Sequence, residues 1–209
     1  MRSVKTARAF VTCLVTLACL SLPAQEQPNS PDLFQQLIGS ETTDQATEQW
    51  LKLGRTDPTA RRYLATHLSA VIHDVEVHYG TVNSKPWNNA VRLAGELKLV
   101  EVAPALAKWL AVETGRGYLS NNIALRLEDN SPGKALAQIG DPSIPVLKDV
   151  LQHGTQRERL RAVYVLKLIA SPQAKTALQE HVSSEPDPGL KTFIDRTLGN
   201  QVWENNPSK

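Results

Sequence analysis

Apolar positions along this chain recur at helical spacing. Leu64, Leu68, Val71, Ile72, Val75 and Tyr79 fall on one stripe at steps of three and four, the period of a helix buried along one side. Asp57 followed by Pro58 supplies the start: a capping side chain, then a proline at the first position, where its missing N–H costs nothing. The pattern predicts a helix from Pro58 to about Tyr79. Two shorter helices precede it. Ser30-Pro31 opens one that runs to Ile38 and stops at Gly39, and a second spans Thr43 to Leu53, with Trp50 and Leu51 apolar and Gly54 at its end. After a break from Gly80 to Lys85, Pro86 starts another helix through about Leu97, with Val102 to Val112 as its partner.

Residues 130–152 read as two short antiparallel helices about a tight Gly140-Asp141-Pro142 corner. The same spacing returns on either side. Ala94 and Leu97 match Leu136 and Ile139, and these match Leu166 and Ile169. In the second helix of each pair, Leu106, Leu147 and Leu178 form one column, and Leu110, Leu151 and Val182 another. Ser171-Pro172 echoes Asp141-Pro142 as an N-cap followed by proline. A final half-unit from Asp187 to Leu198 ends at Gly199. One helical pair cannot bury its own apolar face, so neighbours must stack on a shared core. The expected fold is all-α.

The string Ala135-Leu136-Ala137-Gln138-Ile139-Gly140-Asp141-Pro142-Ser143-Ile144-Pro145-Val146-Leu147 resembles the HEAT-repeat family. It is most like the short HEAT-like repeats of phycobilisome lyases and many bacterial proteins. The resemblance covers about residues 86–198 and is poor before 80. It implies a right-handed α-solenoid, here of about four helical hairpins, used for protein contacts and not tied to one reaction. Ala170-Ser171 departs from the family's Gly-Asp and weakens that unit.

Composition changes the picture mainly at the N-terminus. Arg2, Lys5 and Arg8 precede an apolar run from Ala9 to Leu22, and Leu22-Pro23-Ala24 offers a small residue for cleavage. Residues 1–24 thus read as a secretory signal peptide, too short to span a bilayer, which takes about 20 apolar residues. Residues 25–33 are a polar, proline-broken leader, residues 34–199 the repeat domain, and residues 200–209 a polar tail with a lone Trp203. The signal holds three of the 23 basic residues and none of the 21 acidic ones, so the remainder has a net charge of −1. A nucleic-acid partner loses its electrostatic support. Cys13 and Cys19 also lie in the signal, so the exported chain would carry no disulfide and no Cys-ligated metal. Thr16-Leu17-Ala18-Cys19 resembles a bacterial lipobox, although Thr16 stands where a large aliphatic belongs. An envelope lipoprotein acylated at Cys19 is therefore the alternative to a soluble exported protein.

Candidate chemistry is sparse. No Gly-x-Ser-x-Gly or phosphate-binding loop is present, and no serine has an evident histidine partner, so the expectation is a non-enzyme without cofactor or metal. His67, Asp74 and His78 share a helix edge, flanking the apolar stripe, with His73 pointing to the opposite side. His67 and His78 are eleven residues apart, about 16 Å of helix, and cannot hold one ion from a single helix. With residues from another segment, the three could line a concave pocket for a small ligand or a lyase-like reaction. His181 reads as a packing histidine, and His153 as a cation at a helix end. The insertion 114–130 lengthens one repeat, and such insertions often lie on a binding face. Lys108, Lys148, Asp149 and Glu180 on the second helices, with Arg116 and Tyr118 of the insertion, are the candidate contacts for another protein or peptide.

Overall fold

The computed structural model describes residues 30–38, 44–74, 81–82, 84–114 and 131–199. Ten helices are found among them: α1 (Ser30–Ile38), α2 (Asp44–Thr56), α3 (Pro58–His73), α4 (Lys85–Glu96), α5 (Ala103–Ala107), α6 (Ser131–Ile139), α7 (Ile144–His153), α8 (Gln156–Ile169), α9 (Pro172–Val182) and α10 (Pro188–Leu198). Among the described residues, extended structure is confined to a parallel pairing of Thr81–Val82 (β1) with Glu113–Thr114 (β2). The chain is all-α in class. The predicted signal peptide, most of the leader, the polar tail and all but Thr114 of the insertion lie outside the described residues.

Cap chemistry explains several helix starts. Asp57 is extended (φ −119°, ψ 111°) and its carboxylate accepts from the Thr59 N–H at 2.8 Å. Ser171 and Asp187 do the same for Ala174 and Leu190, at 3.1 and 2.6 Å. Each is followed by proline, whose missing donor falls where no intrahelical bond is made. Thr155 and Glu158 form a reciprocal capping box at the start of α8.

The even-numbered helices touch in sequence, α2 on α4, α4 on α6, α6 on α8 and α8 on α10. The odd-numbered ones do likewise, α3 on α5, α5 on α7 and α7 on α9. Between the two rows lies one continuous apolar cluster. Leu106, Leu147 and Leu178 are wholly buried in it, as are Ala94, Leu136 and Leu166. At about 1.5–3 kcal/mol for each fully buried large apolar side chain, this cluster dominates the favourable energy. Helix α4 comes close to α6: a Cβ on Gly95 would meet the Ala135 Cα at 2.8 Å and overlap the Gln138 side chain.

The structure corrects several expected boundaries. Helix α3 ends at His73 rather than Tyr79, because the Trp87 indole N–H donates to the Ile72 carbonyl at 3.2 Å and satisfies the helix end there. Gly54 lies inside α2, buried against Leu97 and Leu64, where its lack of a side chain admits a neighbour instead of stopping the helix. The span 102–112 is not one helix. After Ala107 the bonds from Trp109, Leu110 and Val112 run three residues back, the tighter 3₁₀ pattern. Asp141 does not cap α7 through its side chain. Asp141–Ser143 forms a 3₁₀ turn entered through Gly140, and the Ser143 hydroxyl donates to the Gly140 and Leu136 carbonyls.

Two corners give stability predictions. Gly140 has φ +81° and ψ −145°, open to glycine almost alone, with nothing within 4 Å of where a Cβ would sit. Gly140→Ala should therefore cost about 2 kcal/mol through the backbone alone, read as a Tm lower by roughly 4–8 °C. Lys98 closes α4 with φ +50°, its N–H bonded to the Gly95 carbonyl and that of Leu99 to Ala94. Lys98→Gly should raise stability by about 1 kcal/mol in the same thermal melt.

Candidate functional site

The odd-numbered helices are separated by open grooves, and the charged candidates lie along them. One of about 520 Å³ between α3 and α5 is lined by His73, Asp74, Glu101 and Lys108. Another of about 500 Å³ between α5 and α7 takes Lys108, Asp149, His153 and Glu158. A third of about 450 Å³ between α7 and α9 takes Ile144, Lys148, Thr176 and Glu180. Helical period puts these residues on the face turned away from the leucine column.

Several charges on this face are paired. The Lys148 ammonium meets the Glu180 carboxylate at 2.7 Å, bridging α7 to α9 with both side chains about half exposed. Asp149 pairs with His153 at 3.0 Å within α7, both mostly exposed. Exposed pairs of this kind are worth about 0–1 kcal/mol, so they shape the surface more than they hold the fold. Lys108 donates to His73 Nε2 at 2.9 Å and lies 5.7 Å from the Trp109 ring centroid. His73 and Asp74 line the same groove, which corrects the expectation that His73 points to the opposite side. Arg116 and Tyr118 lie outside the described residues; of the other four predicted contacts, Lys108 and Asp149 line the α5/α7 groove and Lys148 and Glu180 the α7/α9 groove.

His67 and Asp74 are not brought to one site. The His67 ring stacks on Tyr63 at 3.9 Å between centroids, meets Phe34 edge-on, and has Nδ1 2.8 Å from the Tyr63 carbonyl. Trp50 stacks on the other side of this cluster, 5.8 Å from Tyr63. His67 is thus an aromatic packing residue, while Asp74 is exposed at the end of α3, and His78 lies outside the described residues. Among the described residues no three His, Cys, Asp or Glu side chains gather as a metal ion requires, and no helix is long and apolar enough to cross a membrane.

One buried ionic cluster was not visible in the sequence. The Glu185 carboxylate is wholly enclosed, gripped by Arg159 through two bonds of 2.9 and 3.0 Å. It also accepts from the Asp187 N–H at 2.9 Å and from His181 Nε2 at 2.7 Å. Arg159 further donates to the Gly154 carbonyl, so the cluster ties the start of α8 to the turn between α9 and α10. Burial, the largest single influence, pushes the Glu185 carboxyl up. The bonds from Arg159, Asp187 and His181 together outweigh it and hold the carboxyl below the ordinary glutamate range. The only sequence signal was the His181–Glu185 spacing of four, although Glu185 lies in the turn beyond the end of α9.

A carboxyl that titrates lower in the folded chain than in the unfolded one stabilises above the ordinary glutamate range, and that contribution fades as pH falls. Glu185→Gln should cost about 3 kcal/mol at neutral pH by leaving Arg159 enclosed without its counter-ion. It should also flatten the acid limb of the stability profile below about pH 5. Urea melts across pH 3–7 read both effects.

No family model matches this chain, and no curated protein or solved structure shows a significant similarity to it.

Proposed function

We propose that this chain is an exported, non-catalytic scaffold of the HEAT-like kind, a right-handed stack of about four helical pairs that binds another protein or peptide. The observation that carries this reading is the succession of three open grooves between α3, α5, α7 and α9. Support for the stack comes from the two rows of successive helix contacts around one apolar cluster. Support for export comes from the basic and apolar character of residues 1–24.

The surface chemistry favours a protein over nucleic acid. Nucleic-acid binding calls for cations repeated along the face and free to neutralise phosphates. Here cations and carboxylates alternate, and Lys148 is already engaged by Glu180. The charged groups are spread along the helices and do not converge on one reacting point, so the face suits contact over an extended area better than catalysis.

Affinity capture with the full chain from a cell-envelope extract tests the reading. Lys108→Glu combined with Lys148→Glu should abolish recovery of a specific partner, whereas Lys191→Glu on the exposed side of α10 should leave it unchanged. Circular dichroism should show all variants folded, and an identical partner set for the two would overturn the proposal.

A further inference from the structure

A pocket of about 310 Å³ opens between α4 and α6, in the other row of helices from the charged grooves. Its walls are Asn88, Asn89, Arg92 and Glu96 from α4, and Lys134 and Gln138 from α6. It lies beside the Gly95–Ala135 approach, so its edge is set by two helices in near-backbone contact. The volume is at the lower end of what small-molecule sites enclose.

Its polar groups fall into two sets. Arg92 donates to Glu96 and to Glu48, each at 2.7 Å, and Glu96 also accepts from Arg55 at 3.2 Å. Two guanidinium groups and two carboxylates thus neutralise one another across α2 and α4. The second set is unspent: among the described residues the Lys134 ammonium and the side-chain amides of Asn88 and Gln138 make no hydrogen bond or ion pair. The pocket therefore carries one uncompensated positive charge and several free N–H donors.

We propose that the α4/α6 pocket binds a small organic monocarboxylate, with Lys134 as its counter-ion and the amide N–H groups of Asn88 and Gln138 as its donors. An ammonium beside neutral amides suits a singly charged, two-oxygen acceptor. A phosphate dianion fits less well, for the guanidinium in the wall, Arg92, is already engaged by Glu48 and Glu96, and the Glu96 carboxylate repels a second negative charge. This site lies apart from the α5/α7/α9 face, so its failure would leave the scaffold reading standing.

Titration of the isotopically labelled full chain with sodium lactate tests the site, with sodium chloride and inorganic phosphate at matched ionic strength as comparisons. Lactate should shift the side-chain amide signals of Asn88 and Gln138 in a saturable manner. Lys134→Met should weaken binding about tenfold, the usual scale for losing one charge-assisted hydrogen bond, and Lys134→Arg should restore most of it. Lys134 is exposed, so the variants should keep the parent's thermal melt. Shifts reproduced by chloride, tighter binding of phosphate, or lactate binding indifferent to Lys134→Met would each overturn the proposal.

Discussion

Everything in this chain depends on apolar side chains that no single helical pair can cover. Leu106, Leu147 and Leu178 are each wholly buried, yet each sits on a short helix with an open groove on its far side. They are buried only because the next helices in both rows close over them. The same arrangement leaves the outer faces of the odd-numbered helices to polar residues. Core and candidate surface are therefore two sides of one periodicity.

Electrostatics plays two different parts. On the groove face the pairs are exposed and exchangeable, and they set the pattern a partner would meet. At the α8–α10 junction the Glu185 carboxylate is enclosed and fully bonded, and there removal of one member leaves a charge with nowhere to go. The position of a charge relative to water decides its role, more than its identity does.

The fold class and many helix starts were legible because their causes are local. Asp57-Pro58, Ser171-Pro172 and Asp187-Pro188 announce themselves within two residues. What was not legible depends on partners far along the chain. The end of α3 is set by Trp87, fifteen residues on, and Gly54 is fixed by Leu97. The column of Lys108, Asp149 and Glu180 followed from helical period. The partner of Lys108 did not, since His73 lies thirty-five residues earlier. Arg159 and Glu185 are twenty-six residues apart, and nothing in either segment names the other. The α4/α6 pocket exists because Gly95 admits α6, a fact of tertiary contact.

The nearest-neighbour character of the packing has a consequence for how the chain opens. Helices α1 to α3 make their main contacts no further along than α5, while α9 and α10 rest on α7 and α8. Most contacts therefore close short loops, which favours rapid assembly. Such a molecule has no keystone whose loss collapses the whole. Local opening should therefore begin at the outermost helices, and the Arg159–Glu185 clasp should resist it on the C-terminal side.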